Sequence, residues 1–364
     1  MPKKSDIDSL LTELNEKFTP DDAERPVVVR GSDMPATEII PCESPALGYV
    51  LGRGGWPKGK LIEFFGKEHS GKTTLMMKAL QDVWEYHNRE KAIAILDVEH
   101  KLNEDWARLI GFPYDEAIIS TPPNAEKATD IMHHLIRSKQ VCAIGFDSIA
   151  AAAPWKEQET FEEKEHVPYL AAKVMTRNVK TVAPMANLYG VTCFYTNQLR
   201  DDIEGYHRLI TPGGRAVKFQ MSQRIYIRNG KEKYTVKTSD GPKEVGYPMV
   251  FKAVKNGFGP RNREGYADFY WESSHWYEGI GFNIDADLLR LGTLVGLVTR
   301  AGPYYSWTDF KEKGRDNFFE AVEKAGQKEE LLSGIRERLV DAHQSMDAKS
   351  EGIIPVGPDI DEEP

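Results

Sequence analysis

The sequence is short of the features that hold together secreted domains and membrane proteins. Its 364 residues include three cysteines, Cys42, Cys142 and Cys193, odd in number, far apart and without a C-x-x-C pair. That excludes a disulfide framework and a Cys-based zinc site, and makes a reducing compartment the default. No stretch approaches about 18 uninterrupted apolar residues, the length of a membrane-spanning helix. The N-terminus, Met1-Pro2-Lys3-Lys4-Ser5-Asp6, is too polar for the apolar core of a secretory signal. The expectation is a soluble, cytoplasmic protein with no membrane partner. Positive charge is also scarce: 47 Lys and Arg stand against 56 Asp and Glu, a formal charge of −9. If such a chain holds nucleic acid, it does so through a local basic surface and not an overall field. Internal repeats and long low-complexity segments are missing too.

What is present is an ordinary globular balance, 40% hydrophobic and 28% charged with 15 Tyr, 15 Phe and 7 Trp, enough for a large core carrying smaller modules. Residues 6–18 place Ile7, Leu10, Leu11, Leu14 and Phe18 at helical spacing, ended by a polar, Pro-containing run. After residue 47 the pattern alternates strand, turn and helix: LIEFFG, AIAILDVE, AIIST, VCAIGFD and VTCFYTN, with helices between them, the longest over about 169–188. This predicts a mostly parallel sheet covered by helices. From Ser222 strands follow one another (RIYIR, KYTVKT, PMVFKAVKN, YADFYWES), as expected for antiparallel additions at a sheet edge. Helical patterns return near Ile284, and the chain closes on an acidic run, DIDEEP, read as a solvated tail.

Gly66-Lys67-Glu68-His69-Ser70-Gly71-Lys72-Thr73 is a complete G-x-x-x-x-G-K-T between a strand and a helix. Its glycines let backbone N–H groups turn toward phosphates, the following helix offers its positive end, Lys72 reaches the β/γ-phosphates and Thr73 can ligate Mg²⁺. Thr74 follows in the same turn. Such a loop works with a carboxylate at the end of a neighbouring strand, and VCAIGFDS supplies Asp147. Hydrolysis further needs a group to activate water. ILDVEH offers Asp97 and Glu99 on one side of a strand end, and Glu99, lying further out, is the better candidate.

LGRGGWPKG, GKEHSGKTT, LDVEHKLN, FDSIAAAAP, TNQLR, TPGGRAVKF and VFKAVKNG follow in an order and spacing that resembles the bacterial and phage RecA recombinases, from about Glu43 to Glu337. The resemblance implies an α/β fold: a RecA-like P-loop ATPase core with antiparallel edge strands, an N-terminal helical arm for protomer contact and a small C-terminal α/β domain. It divides the chain into arm (1–35), ATPase and DNA-binding core (36–275), C-terminal domain (276–345) and acidic tail (346–364). It makes Glu99 the water-activating group, Gln198 the γ-phosphate sensor and Trp106, where the family usually has Tyr, the residue stacking on adenine. Asn103 falls where a polar side chain meets the adenine amino group. Lys255 matches a lysine that crosses to a neighbouring protomer's ATP. The family's second lysine is Gly257 here, so either Lys255 acts alone or Arg261 or Arg263 substitutes.

For DNA, the resemblance makes Leu199 to Gly214 a second binding loop, with Arg200, Tyr206 as its aromatic wedge, and Gly213, Gly214 and Arg215 near the phosphodiester backbone. The first loop, Trp155 to Val167, has five Glu against two Lys, and alone reads as a solvated acidic loop. Behind it Lys173, Arg177 and Lys180 share one helical face at i, i+4 and i+7. With Thr176 they make the surface along which the resemblance places single-stranded DNA. The implied protein binds ATP and Mg²⁺, polymerises on single-stranded DNA as a homo-oligomeric helical filament, and pairs it with double-stranded DNA in recombination and repair. Single-strand binding and loader proteins are conceivable partners, and the nucleoid, or a host's cytoplasm, the place of action. A ring-forming helicase on the same core, a nucleotide-gated mediator with little turnover, and a P-loop small-molecule kinase are the alternatives.

Overall fold

The computed structural model describes residues 4–23, 25–156, 168–201, 209–274 and 277–345. Its centre is a ten-stranded sheet: β1 (Leu61–Gly66), β2 (Ala92–Asp97), β3 (Ile118–Ser120), β4 (Val141–Asp147), β5 (Thr192–Gln198), β6 (Gln223–Asn229), β7 (Tyr234–Thr238), β8 (Gly241–Asn256), β9 (Glu264–Tyr270) and β10 (Gly281–Phe282). The spatial order is β10-β9-β8-β6-β1-β5-β4-β2-β3, with β7 paired to β8. From β6 to β3 every neighbouring pair is parallel. Of the four strands expected as antiparallel additions, β7, β8 and β9 are that. β6 instead lies parallel to β1, Gln223 to Tyr226 beside Ile62 to Phe65. The chain returns to it across the sheet, through the segment that carries the second loop, so it extends the parallel set.

All six residues of β1 are buried, because helices cover both faces, and such strands read as continuous rather than alternating apolar runs. One face carries α2 (Pro45–Leu51), α3 (Lys72–Tyr86) and the short α4 (Glu104–Leu109), the other α5 (Ala125–Arg137) and α6 (Pro168–Leu188), with α1 (Lys4–Phe18) outside these layers. α3 buries Leu75, Met76, Ala79, Leu80 and Val83 along one stripe. α2 and α5 start on side-chain caps, Ser44 accepting from the Leu47 N–H and Asn124 from the Lys127 N–H.

α7 (Gly214–Gln220) packs on α6. Beyond the sheet lie α8 (Ile284–Leu294), a three-stranded antiparallel sheet over Thr299–Ala301, Tyr304–Trp307 and Phe310–Lys313, then α9 (Arg315–Lys324) and α10 (Lys328–Ser345). Their apolar side chains, Trp307, Phe318 and Ile335 among them, continue the core that lies under α3. Ser44 donates to the buried Asp287 carboxylate of α8 at 2.6 Å. α1 leaves Leu10 and Phe18 more than half exposed, as are Val27 and Met34 in the segment after it. No described helix is long and apolar enough to cross a membrane.

Candidate active site and nucleic-acid interface

Parallel strands end at one edge, and the register aligns those ends here: Gly66 of β1 lies beside Gln198 of β5, and Asp147 of β4 beside Asp97 of β2. From this edge the loop Gly66 to Gly71 turns into α3. Gly71 has φ +88°, and a Cβ there would lie 2.5 Å from the Tyr247 hydroxyl, so the position requires glycine on two counts. The Lys72 ammonium donates to the Lys67 carbonyl at 2.6 Å, folded back into the loop, and burial lowers its pKa. The Ser70 hydroxyl is buried with no hydrogen-bond partner, an orphaned polar atom in the cradle where phosphate oxygens would supply one.

Thr73 donates to one oxygen of Asp147 at 2.7 Å and Thr196 donates to the other. Burial raises the Asp147 pKa, with the two hydroxyls opposing and the charges of Glu99 and Asp97 adding to the rise. A carboxylate so desolvated, joined to a hydroxyl of the phosphate loop, is suited to a hard cation and its water shell.

Glu99 is only 14% exposed. One of its oxygens accepts from the Ser148 hydroxyl at 2.5 Å and from the Gln198 amide at 2.9 Å, while Lys101 stands 3.6 Å from the other. The water-activating candidate and the phosphate-sensing candidate, 99 positions apart, are thus directly bonded. Ser148 was not singled out by sequence, being one serine after a recognised aspartate. Asp97 approaches the site as alternation suggested, near enough for its charge to act on Asp147, but its oxygens are taken up by backbone. Its carboxylate accepts from the backbone N–H groups of Lys101 and Leu102 and shapes the turn that presents Glu99.

Asn103 caps α4, its side-chain oxygen accepting from the Trp106 N–H at 2.9 Å. The acceptor expected for the adenine amino group is therefore already engaged in the helix start. Trp106 is half-buried and its indole N–H donates to the Thr74 hydroxyl at 3.1 Å, tying α4 to the first turn of α3. Its ring centroid is 6.4 Å from Trp271, which is 5.7 Å from Tyr247. Sequence reasoning missed Trp271 and Tyr247. They belong to the region of β8 and β9, far along the chain, and only sheet order brings them beside the loop.

On α6, Lys173, Arg177 and Lys180 are exposed and Thr176 half-buried, while Met175, Asn178 and Val179 face inward. The Arg200 guanidinium donates to the Ala150 carbonyl at 3.2 Å. Gly213 (φ +95°) and Gly214 (φ +79°) form the turn into α7. A Cβ on Gly213 would meet Ile149 at 2.8 Å and one on Gly214 would meet Ala172 of α6 at 3.5 Å. Gly213 therefore seats this turn against Ile149, and Gly214 lies in ordinary contact with α6, with Arg215 exposed beside it. Tyr206 and almost all of the acidic first loop lie outside the described residues.

The Lys255 ammonium is held on the carbonyls of Lys218 and Phe219 at 2.9 and 2.7 Å, at the C-terminal end of α7, and burial with nearby Arg224 and Arg261 lowers its pKa. Beside it Phe219 is 77% exposed. Of the suggested substitutes, Arg263 is engaged with the Tyr49 carbonyl at 2.7 Å and stacked over the Tyr49 ring, whereas Arg261 is exposed.

The profile described as RecA N-terminal domain matches residues 7–274. "Protein RecA" of Thermus thermophilus is 31% identical over 319 residues, covering 86% of this chain and 88% of that protein. "Protein RecA" of Oceanobacillus iheyensis is 32% identical over 85% of this chain and 84% of its own length, and that of Streptomyces avermitilis 33% identical over 85% and 78%. A profile spanning both the phosphate loop and the glycine turn on α6, together with relatives matched over most of their length, means that the chain belongs to the RecA family.

Proposed function

We propose that this chain is a DNA-dependent ATPase that assembles on single-stranded DNA as a helical filament and carries out homologous pairing and strand exchange. The observation that carries the reading is the direct bond between Glu99 and Gln198 beside the phosphate loop. In this reading that bond joins the carboxylate that activates water to the amide that meets the terminal phosphate, next to the segment that leads to DNA. Relatives sharing about a third of the sequence over nearly the whole chain support it.

In this reading the loop Gly66 to Gly71 surrounds the ATP phosphates with backbone N–H groups, the Ser70 hydroxyl gains its missing partner, and Lys72 leaves the Lys67 carbonyl for the β/γ-phosphates. Thr73 and Asp147 would hold Mg²⁺, which would supply positive charge to the phosphate oxygens. Trp106, with Trp271 packed against it, stacks on the base, Asn103 and Thr74 lying close by. Glu99, held by Ser148 and Gln198, takes the proton of the attacking water, and its carboxylate is released for that work when Gln198 turns to the γ-phosphate. ATP then acts as a ligand selecting the DNA-gripping state, and hydrolysis ends it. Lys173, Arg177, Lys180, Thr176, Arg200, Arg215 and the Gly213–Gly214 turn lie along the DNA, which needs no base readout because the paired strands supply it. Lys255, with Arg261 as the available second cation, reaches a neighbouring protomer's phosphates.

The same reading takes 1–35 as the arm that contacts a neighbour, 36–275 as the core and 276–345 as the C-terminal domain, and places the protein on cytoplasmic DNA. Electron microscopy with single-stranded DNA and a non-hydrolysable ATP analogue, beside a strand-exchange assay, tests it. Continuous filaments and joint-molecule formation are expected; closed rings that unwind duplex would establish the helicase alternative instead.

A further inference from the structure

The loop Leu199 to Gly214 has two stems, and the nucleotide edge reaches each by a different route. The first is Gln198 itself, next to Gly66, with the Leu199 N–H donating to the Gly66 carbonyl at 3.2 Å. The second stem is Leu209–Ile210, paired with Arg200–Asp201, followed by Thr211 and Pro212. It is tied into the sheet by charges that have no place in the chemistry described so far.

Glu63, in the middle of β1, is fully buried. One of its oxygens accepts from the Arg224 guanidinium of β6, the residue beside it in register. The other accepts from the Asn197 amide at 2.8 Å. The same Asn197 amide donates to the Pro212 carbonyl at 3.1 Å, and its oxygen accepts from the Gln198 N–H at 3.0 Å. Arg224, itself lying over the Phe65 ring, extends a second N–H to the Thr211 hydroxyl at 3.1 Å. A buried ion pair is weak evidence for stability once desolvation is counted, and in some proteins such a pair specifies a geometry. This one links the strand of the phosphate loop, the residue next to Gln198 and the far stem of the DNA loop.

We propose that Glu63, Arg224 and Asn197 are positioning residues: they hold Thr211 and Pro212 in register with Gln198, so that a displacement of Gln198 by the γ-phosphate moves both stems of the loop together and not the first alone. The relay rests on the reading of Gln198 as the phosphate-contacting group. Arg224 is required for its planar fork, which satisfies Glu63 and Thr211 at once; a lysine keeps the charge but cannot donate in both directions with that geometry.

The test measures the affinity of labelled oligo(dT) at fixed salt, with and without a non-hydrolysable ATP analogue, and separately the affinity of a fluorescent ADP analogue. In wild type the ATP analogue should raise DNA affinity by about tenfold or more. Arg224→Lys and Thr211→Val should each lower that gain about threefold, the Asn197–Pro212 bond remaining, with ADP-analogue affinity unchanged, and Thr211→Ser should keep it. Because both variants cut one link, the double variant should be no worse than either. A preserved gain in Thr211→Val, a parallel loss of ADP-analogue affinity, or losses that multiply in the double variant would each overturn the relay. Should Arg224→Lys fail to fold, Thr211→Val tests the same link with the buried pair intact. Gln198→Ala separates the two levels. If it abolishes the gain while Thr211→Val keeps it, only the relay falls; if it keeps the gain, the reading of Gln198 falls and takes the relay with it.

Discussion

The nucleotide edge and the α6 face proposed to meet DNA are built on opposite physical terms. At the nucleotide edge Asp147, Glu99, Ser148, Thr73, Thr196 and Gln198 are largely withdrawn from water, and each side chain is held by another. On α6, Lys173, Arg177 and Lys180 stand in solvent on a helix whose opposite face is core. A site that stabilises one arrangement of charge works best with groups fixed in a low-dielectric setting. A surface that follows a flexible polyanion of any sequence needs cations that can adjust, and it draws affinity from displaced counterions. Losses at the first should therefore be steep and local, and those at the second graded and salt-dependent.

The largest effects belong to the nucleotide edge. Lys72→Ala should weaken nucleotide binding and lower turnover by about 10²-fold or more, whereas Glu99→Gln should abolish turnover and leave binding in place. Steady-state hydrolysis beside nucleotide titration distinguishes them, and wild-type turnover in Glu99→Gln would remove that residue from catalysis. Lys255→Ala should nearly match that loss in DNA-stimulated hydrolysis yet spare nucleotide binding by free subunits. Mixed with Glu99→Gln subunits it should regain partial activity, because some interfaces then join an intact Glu99 to a neighbour's intact Lys255; strictly additive inactivity would place Lys255 in its own subunit's structure.

Smaller effects sharpen the contrast. Trp106→Ala should cost about tenfold in nucleotide affinity, within the roughly 1–3 kcal/mol of a base–aromatic stack, read by titration of an ATP analogue. Reversing Lys173, Arg177 or Lys180 to Glu should lower single-stranded DNA affinity and flatten its dependence on log salt by about 0.7 per phosphate contact. An unchanged slope would return the stripe to an ordinary solvated helix face.

The smallest effect lies on α3 itself, where burial pushes the Asp82 carboxyl up to about 8 against hydrogen bonds from the Trp56 indole and the Glu43 N–H, with Glu43 adding to the rise and Lys78 opposing it. The folded state therefore keeps a proton that the unfolded chain loses above about pH 4, so this group's contribution declines as pH rises from there to about 8. Asp82→Asn, which resembles the protonated form, should flatten the fall of Tm between about pH 6 and 8. An equal fall in both proteins would mean that Asp82 is ionised in the fold.

Sequence alone determined whatever depends on neighbours along the chain. The phosphate loop was legible because one turn must supply glycines, a lysine and a hydroxyl within eight residues, and the α6 stripe because helical spacing is periodic. Asp147 and Glu99 followed from strand ends, and the parallel sheet from alternation. Tertiary structure alone decided which distant groups meet. It brought Trp271 and Tyr247 to the loop, paired Ser148 with Glu99, and turned Asp97 inward onto backbone N–H groups. It set β6 parallel to β1, and so joined Arg224 to Glu63 across 161 positions. Hydrogen bonds and ring contacts depend on separations of a few ångströms in space, and strand order, which sets those separations, leaves no periodic trace in any single segment of the chain.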